Sequence, residues 1–297
     1  MDTKEVRELI WRCPVDGSVA AMRDGFAVLA DLPLESDGAT LERRVSRDLY
    51  TLRVSDGRID EDAPPIVYLH GGGYVLGSPD THARAALVLS RAAGATLLLP
   101  AYPLAPEHPW PAQRDALLDW LDHLDAPGGY FLAGDSAGGH LALSLALALA
   151  ESRRARLHGL VLFSPNTLRD YARSESRLER EPLDAMNAHG QDDALARLAF
   201  GETRGDDLDQ NPLDRDLSAL PPVYLDVGTH EILLDDALLF ARRAALAGVA
   251  LDLHVAPGMF HLRQLFAQHW RAADASLERA GLWVRERLAE ETDGDGD

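Results

Sequence analysis

Ser136 stands in Gly134-Asp135-Ser136-Ala137-Gly138, between the apolar run 130–133 and an Ala/Leu-rich stretch at 137–152. A serine with glycines two places before and after it, where a strand turns into a helix, has the setting of a nucleophile on a tight corner. Strand and helix approach closely there, and side chains at the flanking positions would clash. A serine hydroxyl needs a base, the base needs an orienting carboxylate, and a tetrahedral oxyanion needs preorganised donors. Such a set performs acyl transfer.

The donors are sought first. His70-Gly71-Gly72-Gly73-Tyr74 follows an apolar run at 64–70, about sixty residues before the serine. Three consecutive glycines leave peptide N–H groups bare. A flexible glycine turn and a phosphate loop are the other readings, and the phosphate loop fails because no Gly-Lys-Ser/Thr follows. Gly72 and Gly73 are the expected donors, together with the Ala137 N–H from the serine corner.

The base is sought among eleven histidines. His254 lies inside an apolar run. His140 and His158 fall on the helix after the serine and at a strand start, His189 falls in an irregular segment, and His269 lies further along a helix. His261, in Ala256-Pro257-Gly258-Met259-Phe260-His261, comes just past the last apolar run, where a loop can reach Ser136. It is the chosen base. The acid should follow the preceding strand, in the stretch "GTHEILLDD". Glu231 is in the loop, Asp226 is within the strand, and Asp235 and Asp236 fall on the helix that starts there. "HEILL" lacks the second histidine of a zinc-binding HExxH, so no metal site is expected. The order Ser136, Glu231, His261 is the Ser…Asp/Glu…His order of the α/β-hydrolases.

Stepping from residues to elements, short apolar runs alternate with helical periodicity. Strands are expected at "VSRDLYTLRV", 64–70, 95–100, 130–133, 158–165, 221–228 and 251–258. Helices are expected within 1–30 and at 81–93, 111–124, 137–152, 233–247 and 272–290. This alternation implies an α/β protein with a mostly parallel central sheet flanked by helices. Residues 166–215 break it: charged, irregular and long for a connection, they read as an insertion over one end of the sheet. With the N-terminal helices they would form a helical cap. The expectation is one domain over 1–297, with cap elements at about 1–45 and 166–215, a core at about 46–165 and 216–290, and a disordered tail at 291–297.

The formal charge of −19 would repel phosphate backbones, so nucleic acid is not an expected partner. The single cysteine, Cys13, permits no intrachain disulfide. No apolar run is long enough to span a membrane, and "MDTKEVRELIWRCP" has no basic segment leading an apolar one. A cytoplasmic protein is expected. Lys4 is the only lysine beside many arginines. A GC-rich genome explains that bias; an acidic surface suited to high salt is the other reading.

Together "HGGGY", "YPLAPEHPWPA" (102–112), "GDSAGG" (134–139) and "PGMFH" (257–261) make the chain resemble the hormone-sensitive-lipase-like branch of the α/β-hydrolases, over about 64–290. The resemblance implies an α/β-hydrolase fold with a cap, no cofactor, and a serine carboxylesterase acting on short-chain acyl esters, a small-molecule partner. Lactone or N-acetyl and amide hydrolysis by the same groups is the alternative. A non-catalytic binding protein, as in the plant gibberellin receptors that lack the histidine, is another, and the presence of His261 argues against it. In the resemblance Ser136 matches the nucleophile, His261 the base, and Gly72, Gly73 and Ala137 the oxyanion donors. Glu231 stands where the family's Gly-x-x-Asp-Pro-Leu has aspartate. Glu107 and His108 are expected to brace the oxyanion turn, and Tyr74, Leu76 and Trp110 to contribute to substrate binding. Physiological substrate and oligomeric state stay open, a homodimer included.

Overall fold

The structure, a computed structural model, describes residues 1–59, 63–149, 151–201 and 207–294. The apolar runs become strands β1 (Ala39–Ser46), β2 (Leu49–Asp56), β3 (Ile66–Leu69), β4 (Leu97–Pro100), β5 (Tyr130–Asp135), β6 (Leu157–Phe163), β7 (Val223–Gly228) and β8 (Leu251–Ala256). They form one sheet in the order β1-β2-β4-β3-β5-β6-β7-β8. β1 and β2 pair antiparallel with their neighbours, and every pairing from β4 to β8 is parallel.

β3, β5 and β7 are buried along their whole length, which is why they read as unbroken apolar runs rather than alternating ones. Their two faces still separate with period two. On β3, Val67 and Leu69 join one core layer while Ile66 and Tyr68 join the other. The first layer packs under α4 (Ala112–Asp122), α5 (Ala137–Ala148) and α9 (Leu234–Leu246), and the second under α3 (Ala83–Ala93) and α10 (Arg271–Gly294). Ten of the 12 residues of α5 are buried, as a helix apolar on all sides requires.

The stretch "VSRDLYTLRV", expected as one strand, is strand at both ends but broken by a hairpin turn: it holds the end of β1, two turn residues and most of β2. Arg47 and Asp48 both adopt the left-handed region, with φ of 50° and 61°, and reverse the chain between β1 and β2. Asp tolerates that conformation, but Arg gives no warning of it. β1 starts at Ala39, so the sheet reaches into the stretch assigned from sequence to the cap. α10 runs to Gly294 and takes up the first residues of the expected tail; 295–297 lie outside the described residues.

The N-terminal helices α1 (Thr3–Arg12) and α2 (Val19–Leu29) meet the 166–215 insertion, which carries α7 (Ser176–Glu179) and α8 (His189–Phe200) after the short α6 (Glu151–Arg154) of the core. Gln191 Nε2 donates to Val15 O at 2.5 Å and Arg7 Nη2 to Leu183 O at 2.8 Å. Buried Arg84 joins α2 to the core: its guanidinium donates to the carbonyls of Ala30 (2.7 Å), Leu32 (2.8 Å) and Leu265 (3.0 Å). Among the described residues no helix is long and apolar enough to cross a membrane.

Candidate active site

Ser136 sits between the end of β5 and the start of α5 with φ 55° and ψ −118°, a conformation that costs a non-glycine residue free energy. Its surroundings hold it there. A Cβ on Gly134 would run into the backbone of Gly138, and a Cβ on Gly138 into the Leu69 carbonyl. The Ser136 N–H donates to Phe163 O at 2.9 Å, and its carbonyl accepts from the His140 N–H at 3.0 Å and the Asn166 N–H at 3.2 Å. The hydroxyl therefore emerges at the carboxyl end of the parallel strands, where open α/β sheets bind ligands.

The loops after β7 and β8 bring two further side chains to it. His261 Nε2 lies 2.9 Å from Ser136 Oγ, and His261 Nδ1 lies 2.8 Å from Glu231 Oε2. All three residues are buried. The carboxylate beside Nδ1 favours the tautomer protonated there, which leaves the Nε2 lone pair facing the serine O–H. Burial alone would lower the imidazole pKa, but the hydrogen bond and charge of Glu231 outweigh it and raise His261 above its usual value. Glu231 Oε1 accepts the Gly228 N–H at 2.6 Å and the Ser164 hydroxyl at 2.8 Å, and Arg263 Nη1 lies 3.7 Å away.

The other acids are occupied elsewhere. Asp235 accepts the Ser176 N–H at 2.8 Å. Asp236 accepts the Thr167 and Leu168 N–H groups, both at 3.2 Å, and pairs with Arg177 at 3.1 Å. Asp226 is bonded by Arg263 and by His254 Nδ1, the latter at 2.9 Å.

The glycine turn faces the serine from the end of β3. Gly72 has φ 116°, open only to glycine, and a Cβ there would strike the Leu76 backbone. Among the described residues the Gly72 and Gly73 N–H groups donate to no backbone carbonyl. Ala137 opens α5, so its N–H belongs to the first turn, which has no intrahelical acceptor. Asp135 anchors this turn to the serine corner: its Oδ1 accepts the Gly71 N–H at 3.1 Å and the Tyr68 hydroxyl at 2.8 Å. His82 Nε2 lies 3.4 Å from Oδ2. Burial opposes the Asp135 charge, yet His82 and Tyr68 outweigh it and hold the carboxyl below its usual range. Tyr102 donates to His70 O at 2.6 Å and stacks on its ring; burial pushes the His70 imidazole down to about 3. Glu107 grips Arg23 of α2 at 2.7 Å, and Arg23 Nε in turn donates to Val75 O, just past the turn.

Gly72, Gly73, Ser136 and His261 share the wall of a cavity of about 50 Å³ with Leu76, Leu195 and Asp192. Tyr74 and Trp110 do not line it. Their rings lie 5.0 Å and 5.1 Å from Phe200, at the end of α8, and both touch His140. They support the insertion from behind. Asp135, Ser164 and Asp192 escaped the sequence reading. Asp135 adjoins the serine and carried a positional hint, whereas Ser164 and Asp192 carried none. Among the described residues no group of three His, Cys, Asp or Glu side chains comes together as a metal site.

Comparison with known proteins agrees with this fold. A family model described as the alpha/beta hydrolase fold matches residues 66–265. An esterase of Acinetobacter venetianus is 33% identical over 71% of this chain and 71% of its own. An acetyl-hydrolase of Streptomyces hygroscopicus is 33% identical over 77% and 78%. The carboxylesterase/phospholipase LipF of Mycobacterium tuberculosis is 34% identical over 76% of this chain but only 62% of its own length. A crystal structure of an esterase from the bacterial hormone-sensitive lipase family superposes with a TM-score of 0.88 at 31% identity, covering 96% of this chain and 97% of that one. The chain belongs to the hormone-sensitive-lipase-like branch of the α/β-hydrolase family.

Proposed function

We propose that this chain hydrolyses short-chain carboxylic esters by two-step acyl transfer, with Ser136 as nucleophile, His261 as base and Glu231 as the orienting acid. The observation that carries the reading is the unbroken line Ser136 Oγ, His261 Nε2, His261 Nδ1 and Glu231 Oε2, buried beside the Gly72–Gly73 turn. Family membership makes the chain a carboxylic ester hydrolase; the residue roles and acyl preference are assigned here.

In the first step the Ser136 proton passes to His261 Nε2 while Oγ bonds to the substrate carbonyl carbon. The carbonyl oxygen becomes an oxyanion and accepts from the Gly72, Gly73 and Ala137 N–H groups. Glu231 stabilises the imidazolium without taking its proton. The tetrahedral intermediate collapses, the carbon–oxygen bond to the alcohol breaks, and His261 returns the proton to the departing oxygen. Water then gives a proton to His261 as its oxygen attacks the acyl carbon. Collapse of the second intermediate releases the acid and restores the Ser136 hydroxyl.

The small cavity supports a short acyl group. The N-terminal helices and the 166–215 insertion are assigned as the cap that closes over it. The net charge of −19 supports a small neutral substrate rather than nucleic acid. Hydrolysis of p-nitrophenyl acetate, and covalent labelling by a fluorophosphonate that maps to Ser136, test the reading. A Ser136→Ala protein that keeps its activity sinks it.

A further inference from the structure

One carboxylate touches both loops that carry the base and the acid while belonging to neither. Asp184 lies in the insertion, between α7 and α8. Its Oδ1 accepts the backbone N–H of His261 at 3.2 Å and of Met186 at 3.1 Å. Its Oδ2 accepts the N–H of Ile232, the residue after Glu231, at 3.1 Å. We propose that Asp184 is a positioning residue through which the insertion sets the His261–Glu231 pair in register, a role that rests on the catalytic reading above.

Two consequences follow from the bonding. An ionised Asp184 accepts from three peptide groups across three segments, so both catalytic loops move with the insertion. Its charge also favours the imidazolium form of His261. Protonation converts one of its oxygens into a donor and weakens its hold on those N–H groups. Among the described residues no cation pairs with it. The groups facing it are His261 and Glu231. Around them stand Arg263 behind Glu231, Asp192 already held by Arg169 and Arg177, Asp235 bound to Ser176, His230 in the acid loop, and Arg7 bonded to the neighbouring Leu183 carbonyl. Burial pushes the Asp184 carboxyl up to about 6, despite its peptide donors. It therefore changes charge where the imidazole also titrates.

The test compares wild type with Asp184→Asn and Asp184→Ala in steady-state ester hydrolysis and in NMR titration of the His261 ring, identified by its loss in His261→Gln. In both variants kcat should fall roughly 10- to 100-fold, the scale of a small misplacement of catalytic groups, while KM stays near wild type. The His261 midpoint should move down, since a nearby anion is gone. In unmodified protein the His261 resonances should show a second inflection from Asp184. This last readout needs neither a folded Asp184 variant nor catalysis. An unmoved His261 midpoint, unchanged kcat, or a single inflection in wild type would overturn the proposal. Should wild type itself fail to cleave esters while the His261 resonances still respond to Asp184, the catalytic reading falls and the coupling of the two groups stands.

Discussion

Ser164 Oγ donates to Glu231 Oε1 at 2.8 Å, on the oxygen turned away from His261. With the Gly228 N–H on the same atom, this leaves Oε2 directed at Nδ1. The acid is thus held at both ends, and Ser164 itself sits at φ 46° to reach it. Glu231→Gln should therefore lower kcat by about 10²- to 10⁴-fold with little loss of stability, because the shape is kept and the tautomer support is lost. Asp235→Asn, whose carboxylate serves Ser176, should stay within a few-fold of wild type. Steady-state kinetics on the pair decides it; a dead Asp235→Asn beside a healthy Glu231→Gln would move the acid to α9.

The serine corner carries strain that is separable from its chemistry. Ser136→Ala should lose about three or more orders of magnitude in turnover and keep the strained backbone. Ser136→Gly should be equally inactive but more stable than the alanine variant by about 1 kcal/mol, as relief of the backbone strain outweighs the entropy cost of glycine. Denaturant melts of the two variants measure this, and equal midpoints would argue against strain at the corner.

The pH dependence of kcat/KM follows from the sign of the His261 shift. Its pKa is raised, and only the neutral imidazole accepts the serine proton. Activity should therefore be lost as pH falls, with a midpoint above the ordinary imidazole value of 6.5. A limb centred below that value would contradict the environment described for His261.

The cavity selects by size and by charge. Acetate to butyrate esters should outrun long-chain ones, and Leu195→Ala, which opens the wall beside Gly73, should shift the preference to longer chains. Among the described residues the lining holds no lysine or arginine, and the chain carries a formal net charge of −19. p-Nitrophenyl hemisuccinate should thus be cleaved at least about tenfold less efficiently than the butyrate ester, and added salt should narrow the gap. Equal rates at low salt would show that the cavity field does not reach the substrate.

Asp192 also belongs to a buried charge network. Arg169 and Arg177 approach its Oδ2 at 2.6 Å and 2.7 Å, and Arg177 continues to Asp236. Burial opposes the Asp192 charge, but the two arginines outweigh it and hold the carboxyl far below its usual range. A depressed folded-state pKa contributes stability above the unfolded value near 4, and this is lost as pH falls below it. Asp192→Ala should cost about 3–5 kcal/mol at neutral pH, having taken the carboxylate from buried Arg169 and left Arg177 with Asp236. The deficit relative to wild type should shrink in acid melts; a deficit independent of pH would mean the charge is immaterial.

What sequence made legible was chemistry whose spacing is enforced by backbone sterics. The glycines around Ser136 and in the 70–74 turn are there because no side chain fits, so they announce themselves. His261 and Glu231 followed from their places after the last two strands. The insertion was opaque for the opposite reason. Asp184 acts through segments 48 and 77 residues away, and Asp192 through arginines 15 and 23 residues away, and neither strand nor helix periodicity marks such residues. Tyr74 and Trp110 adjoin the motifs in sequence, yet their rings turn toward Phe200 and His140 instead of the cavity. The β1–β2 hairpin was hidden because Arg47 occupies a turn position usually given to Asn or Gly.

The Arg84 clamp bears on how this chain can be re-engineered. Its three carbonyl acceptors come from the end of α2 and from the segment just after His261. A chimera that takes its N-terminal region from a relative therefore has to import acceptors for a guanidinium already buried in the core, or replace Arg84 at the same time. Grafts cut near residue 35 without that change should give poor soluble yield, and pairing them with Arg84→Met should recover it. The useful unit of exchange thus couples the first 35 residues to position 84 and the base loop, so it is discontinuous in the gene.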